Sequence, residues 1–172
     1  MFTLNHQTPA TASEDVAKIF SHFTDKGNPV PAPLLLMSAS PDLLNLVFNQ
    51  ISYFMKHQAL SFPVLAAIRF LAAQEVCYDH CVKLNTSWLI KTGLTEQDIA
   101  DLAAGKEADA FTEGENALLA TVNKAIKRQK ISQSEIKELR GYGWKDSDIL
   151  DACMQATSLI SSSYLFEAFN KE

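Results

Sequence analysis

The chain has 172 residues, of which 47% are hydrophobic and 20% charged, with a formal net charge of −5. That length suits one domain, residues 1–172, with a core of its own. The acidic balance and the lack of a basic stripe exclude a nucleic-acid binder, and Lys127, Arg128 and Lys130 read as the cationic end of a helix.

The first residues, MFTLNHQTPATASEDV, carry neither a basic n-region nor an apolar h-region, so no signal peptide is expected. Ser13-Glu-Asp-Val opens an amphipathic stretch that stops near Gly27, which makes residues 1–30 an N-terminal extension with one helix. GNPVPAP, residues 27–33, is a stiff connector, because proline fixes φ and removes a donor. Ser40-Pro41 sets a cap and then a proline at the first helical position, and a helix is expected to about His57. Ser61-Phe-Pro63 opens the next helix, through about Gln74. Apolar residues run nearly around it, which suits a buried central helix or one packed between subunits. Its apolar run, FPVLAAIRFLAAQEV, is the longest in the chain, and Arg69 and Gln74 cut it short of a membrane span. Phe48, Tyr53, Phe54, Phe62 and Phe70 are expected in the core or a subunit interface.

A further helix is expected from Cys81 to Thr92, stopped by Gly93. Thr95 to Asp98 starts another, closed by Gly105. Thr112-Glu-Gly-Glu115 and Ser132-Gln-Ser-Glu135 are both capping boxes. The last helix is expected from about Asp146 towards Phe169, with Ile149, Ala152, Cys153, Ala156, Leu159 and Ile160 on one face. No stretch has the period of a strand, so the predicted class is all-α. Residues 93–101 and 143–151 share the pattern G-apolar-x-acid-x-D-I-x-D. Two helix junctions under one set of capping rules would produce this, and so would duplication of a helical hairpin.

Cysteine is scarce: three residues, two of them in EVCYDHCVKLN, residues 75–85. An odd, small count argues against a secreted disulfide scaffold and for a reducing, cytoplasmic setting. On a helix, residues four apart differ by about 40° around the axis and about 6 Å along it, so Cys77, Cys81, Asn85 and Trp88 would form one stripe. That separation is long for a disulfide, but the pair can close if Cys77 lies just before the helix begins. A cysteine at a helix N-terminus is expected to have a lowered pKa, and His80 can add a positive charge or a proton route. As a metal set, Cys77, His80 and Cys81 have irregular spacing and no evident fourth ligand. The remaining reading is structural, since free cysteine is often buried, and Cys153 on its apolar face is read that way.

The stretch CYDHCVKLNTSWLIKTGLTEQDIADL resembles the carboxymuconolactone decarboxylase and alkylhydroperoxidase D-like (AhpD-like) family. That family's pattern is an apolar helix, then C-x-x-C-x-x-x-H, then a helix ending in Gly-Leu-[Ser/Thr]-acid-x-x-Ile. The resemblance runs over roughly residues 30–168. It implies an all-α bundle of about seven helices, assembled as trimers or hexamers. Cys81 falls on the second cysteine, which attacks the hydroperoxide in peroxidatic members, and His80 falls just before it. The position of the first cysteine holds Tyr78, and Cys77 stands one residue early. Asn85 replaces the relay histidine, and the acidic partner falls near Ala66, with Arg69 the closest charged residue.

The function this implies is a thiol-dependent oxidoreductase for hydroperoxides or protein disulfides. Cys81 would be the nucleophile, Cys77 the resolving thiol and His80 the auxiliary group, with an external dithiol as reductant and no cofactor, metal, nucleic acid or membrane. Asn85 cannot exchange a proton near neutral pH and Ala66 carries no polar group, so the alternative is an inactive scaffold for binding or assembly. Decarboxylation of a muconolactone ranks below both, for want of a basic cluster to hold its acid substrate.

Overall fold

Side-chain capping bonds set four of the helix starts among the described residues. In the computed structural model, which describes residues 2–171 except the side chain of His80, the elements are all helical apart from one isolated bridge between Phe2 and Asn170. The helices are α1 (Glu14–Thr24), α2 (Ala32–Met37), α3 (Pro41–Met55), α4 (Phe62–Glu75), α5 (Asp79–Lys91), α6 (Glu96–Ala103), α7 (Glu113–Ile126), α8 (Gln133–Gly141) and α9 (Asp146–Phe169). Thr95 with Asp98, Thr112 with Glu115, and Ser132 with Glu135 form reciprocal capping boxes at α6, α7 and α8. Asp148 repeats the acidic half of that device, its Oδ2 accepting the Lys145 N–H at 3.0 Å, as Asp98 Oδ2 accepts the Thr95 N–H at 2.8 Å. The shared pattern of residues 93–101 and 143–151 therefore has a local cause in capping.

The described residues hold nine helices, where about seven were expected. The one without a foreseen start is α2, inside the stretch read as a connector. Pro33 sits in its first turn, where a missing N–H costs nothing, so the prolines that stiffen residues 27–31 also open a helix. Ser40 is the residue before α3, but its side chain makes no capping bond, and the proline alone suits that start.

The chain forms two compact units. One runs up to Lys56 and includes the chain from Tyr164 onward; the other is His57–Ser163. In the first, Val16, Ile19 and Phe20 of α1 share a core with Val30, Leu34 and Met37 and with Leu44 of α3. Phe2 packs edge-on against Phe166, ring centroids 5.4 Å apart, and the Thr3 N–H donates to the Phe169 carbonyl at 2.9 Å.

In the second unit α4 is the central helix. Val64–Ile68 and Phe70–Ala73 are all buried, and α4 packs against α5, α6 and α7. This is the helix whose apolar residues ran nearly all round, and burial on most sides follows. Among the described residues no helix is long and apolar enough to cross a membrane.

Electrostatics fasten α8 to α7. The Lys124 ammonium pairs with Glu135, which also accepts the Ser132 N–H, and together these pull the Glu135 carboxyl from 4.5 to about 2. The folded pKa is depressed, so the contribution is present above the unfolded value and lost as pH falls through the folded one. The wild-type advantage over Lys124→Met should be full above about pH 4.5 and gone near pH 2 in urea unfolding at stepped pH.

Candidate active site

The bend between α4 and α5 positions the thiols. After Glu75 the chain folds back on itself: the Cys77 N–H donates to the Gln74 carbonyl at 3.1 Å and the Tyr78 N–H to the Ala73 carbonyl at 2.9 Å. Cys77 takes a left-handed backbone, φ 52°, which a side chain with a Cβ adopts at a cost of about 1–2 kcal/mol. It lies outside both helices and is exposed. Asp79 opens α5, two residues before the expected start, with Tyr78 as the residue ahead of it. Cys81 is therefore in the first turn of α5, half-buried, with Cys77 just ahead of the helix. Both are free thiols. Of the stripe drawn from sequence, Cys81, Asn85 and Trp88 keep a common helix and Cys77 leaves it.

Asn85 is the hub. It is 1% exposed, accepts from Arg69 Nε at 3.1 Å, and donates through Nδ2 to the Cys81 carbonyl at 2.8 Å. A buried amide must satisfy both its ends, and these two bonds do so. Arg69 rises from α4 between two rings, with Cζ 5.2 Å from the Trp88 centroid and 5.8 Å from that of Phe62. The rings themselves are 5.7 Å apart and tilted by 59°. Ala66, at the place of the family's acid, is fully buried in the core. The relay positions thus hold a methyl group and an amide rather than a carboxylate and an imidazole, and the amide takes its hydrogen bond from the Arg69 guanidinium.

Burial dominates the electrostatics. It pulls the Arg69 guanidinium down to about 10, against the pull of Cys81. It pushes the Cys81 thiol up, with Arg69 opposing. The lowered thiol pKa expected from the helix terminus is therefore not what the site has: desolvation of a half-buried thiolate outweighs the nearby cation. Cys153 is likewise pushed up by burial, and is half-buried rather than in the core.

His80 is the second residue of α5, and its side chain lies outside the described residues. Among the described residues no three His, Cys, Asp or Glu side chains converge to hold a metal ion. The imidazole of His57 is structural: Nδ1 accepts the Ala59 and Leu60 N–H groups at 3.2 and 3.0 Å, and Nε2 faces Asp151 at 3.2 Å. Phe62, Trp88 and Arg69 were not foreseen as site residues. The available signal was Arg69 itself, a lone charge in an otherwise apolar helix.

An all-helical scaffold that presents a half-buried thiol in the first turn of the helix after its buried central helix defines the class. The chain has the AhpD-like fold. It is similar to two uncharacterized peroxidase-related proteins. The one from Ralstonia eutropha JMP134, described as an alkylhydroperoxidase AhpD core, is 18% identical, with TM-score 0.80 over 98% of this chain and 90% of that one. The other, from Silicibacter sp. TM1040, is 16% identical, with TM-score 0.77 over 98% and 90% of the two chains. A third similar structure is a cysteine-to-alanine variant of the debrominase Bmp8 in complex with 2,3,4-tribromopyrrole. It is 14% identical, with TM-score 0.75 over 96% of this chain and 89% of that one. No protein-family model and no curated protein matches the sequence.

Proposed function

We propose that the protein is a thiol-dependent oxidoreductase acting on a hydroperoxide or a disulfide, with Cys81 as nucleophile and Cys77 as resolving thiol. The observation that supports this best is the placement of the pair: one half-buried thiol beside a guanidinium, and one exposed thiol at the bend just before its helix. Two of the similar structures are described as peroxidase-related.

The Cys81 thiolate attacks one peroxide oxygen and the O–O bond breaks. The other oxygen leaves as alkoxide or hydroxide and takes a proton from solvent, and Cys81 becomes a sulfenic acid. The Cys77 thiolate then attacks Cys81 Sγ, forming the disulfide and expelling hydroxide, which takes a proton from solvent to leave as water. An external dithiol returns both thiols and is itself oxidised to a disulfide. His80 would assist with proton transfer. The reading includes a cytoplasmic, reducing setting and assembly as a trimer or hexamer.

A scaffold without turnover is the second reading, favoured by Ala66 and Asn85 at the relay positions and by the upward pull on the Cys81 thiol. The two part in one experiment. Cys81 alkylation is followed against pH in the wild type and in Cys77→Ser, with peroxide and disulfide consumption in parallel. Because burial raises the thiol, the reactive fraction grows with pH and has its midpoint above that of an ordinary cysteine. Turnover that climbs along the same curve and needs Cys77 supports the enzyme. Alkylation along that curve with no substrate consumed at any pH overturns it in favour of the scaffold.

A further inference from the structure

Among the described residues Arg69 has no carboxylate partner. Among the described residues it forms no ion pair, and its one hydrogen bond runs from Nε to the neutral Asn85. Charged groups taken out of water are normally paired, because desolvation is costly. Here only two ring faces and an amide oxygen offset that cost. Among the described residues only Nε of the guanidinium is hydrogen-bonded, which leaves the two Nη groups as a two-donor edge of the kind that takes a carboxylate in a fork. Phe62, 50% exposed, leaves an apolar wall open beside that edge.

The obvious internal counter-ion would be the Cys81 thiolate. Burial raises that thiol, so near neutral pH the counter-ion is mostly absent and the guanidinium stays unmatched.

We propose that Arg69, walled by Phe62 and Trp88, is a carboxylate subsite beside Cys81, so that the substrate presented to this thiol carries a carboxylate on a flat apolar body. Its biological use rests on the oxidoreductase reading, but its anion preference does not. In that use a carboxylate-bearing hydroperoxide or disulfide docks its acid group on the Nη edge and its apolar body on the rings. The fork fixes the carboxylate while the reactive bond faces Sγ of Cys81.

The test compares iodoacetate with iodoacetamide at one pH. Both form an S–C bond at the thiolate and release iodide, so the thiolate fraction cancels in their rate ratio. Cys77, in the same chain, is the reference, read separately by fragment-ion mass spectrometry. The expected iodoacetate-to-iodoacetamide ratio is about tenfold higher at Cys81 than at Cys77, the size of one charge-assisted contact. Arg69→Gln should bring the Cys81 ratio to that of Cys77, and Arg69→Lys should keep part of the preference. In the wild type, benzoate should slow iodoacetamide at Cys81 and benzamide should not. Equal ratios at the two cysteines, an unchanged preference in Arg69→Gln, or protection by benzamide equal to that by benzoate overturns the subsite. None of these readouts needs turnover, so a failed peroxide assay and a failed subsite are separate results.

Discussion

Cys81→Ser is expected to lower peroxide consumption by at least about a thousandfold, the scale of losing a nucleophile that no neighbour replaces. Cys77→Ser is expected to consume one equivalent of peroxide and then stop. Its Cys81 sulfenic acid would persist and be trapped by a carbon nucleophile, because the thiol that condenses with it is gone. The two variants thus separate attack from resolution. Stopped-flow peroxide loss gives the first step, and the stoichiometry of the burst gives the second. On the proposed function, this order would follow from where the thiols lie. Cys81 sits half-buried in the first turn of α5 under the influence of Arg69, whereas Cys77 is exposed on a left-handed bend. An exposed thiol meets the external dithiol readily once the disulfide forms. If Cys77→Ser cycles as fast as the wild type with the same reductant, Cys77 is not the resolving thiol.

Phe70→Ala should be among the most damaging substitutions for stability, at about 3–5 kcal/mol. Its ring is 2% exposed on the buried stretch of α4, and the cavity it leaves has no route to collapse on a helix packed against α5, α6 and α7. Phe62→Ala, on the same helix, should cost under about 1 kcal/mol, because that ring is already half in water. Urea unfolding of the two variants side by side checks the contrast. Equal losses would mean that the ring of Phe62 is buried in solution, by a subunit or otherwise.

These two phenylalanines mark the limit of local reading. Phe48, Tyr53, Phe54, Phe62 and Phe70 were expected as one set. Phe54 and Phe70 are buried, Tyr53 and Phe62 are half exposed, and Phe48 lies between. Periodicity places residues on faces but does not say how far a neighbouring helix reaches along them. On α9 the predicted face holds where Ile149, Ala152 and Ala156 are buried, and weakens at Cys153, Leu159 and Ile160, which are half-buried.

What the sequence determined by itself is the all-helical class, the starts of α6, α7 and α8, and the buried course of α4. Each of these follows from short-range chemistry: a hydroxyl and a carboxylate three residues apart, or an apolar run with almost no polar face. It also placed Cys81 near the start of a helix. Only the tertiary structure decided the character of the site. Arg69 and Asn85 are sixteen residues apart and meet because α4 packs on α5. The direction of the Cys81 thiol depends on how much water that packing removes, and burial there outweighs the nearby cation. Solvation is a property of everything around a group, and no spacing along the chain encodes it.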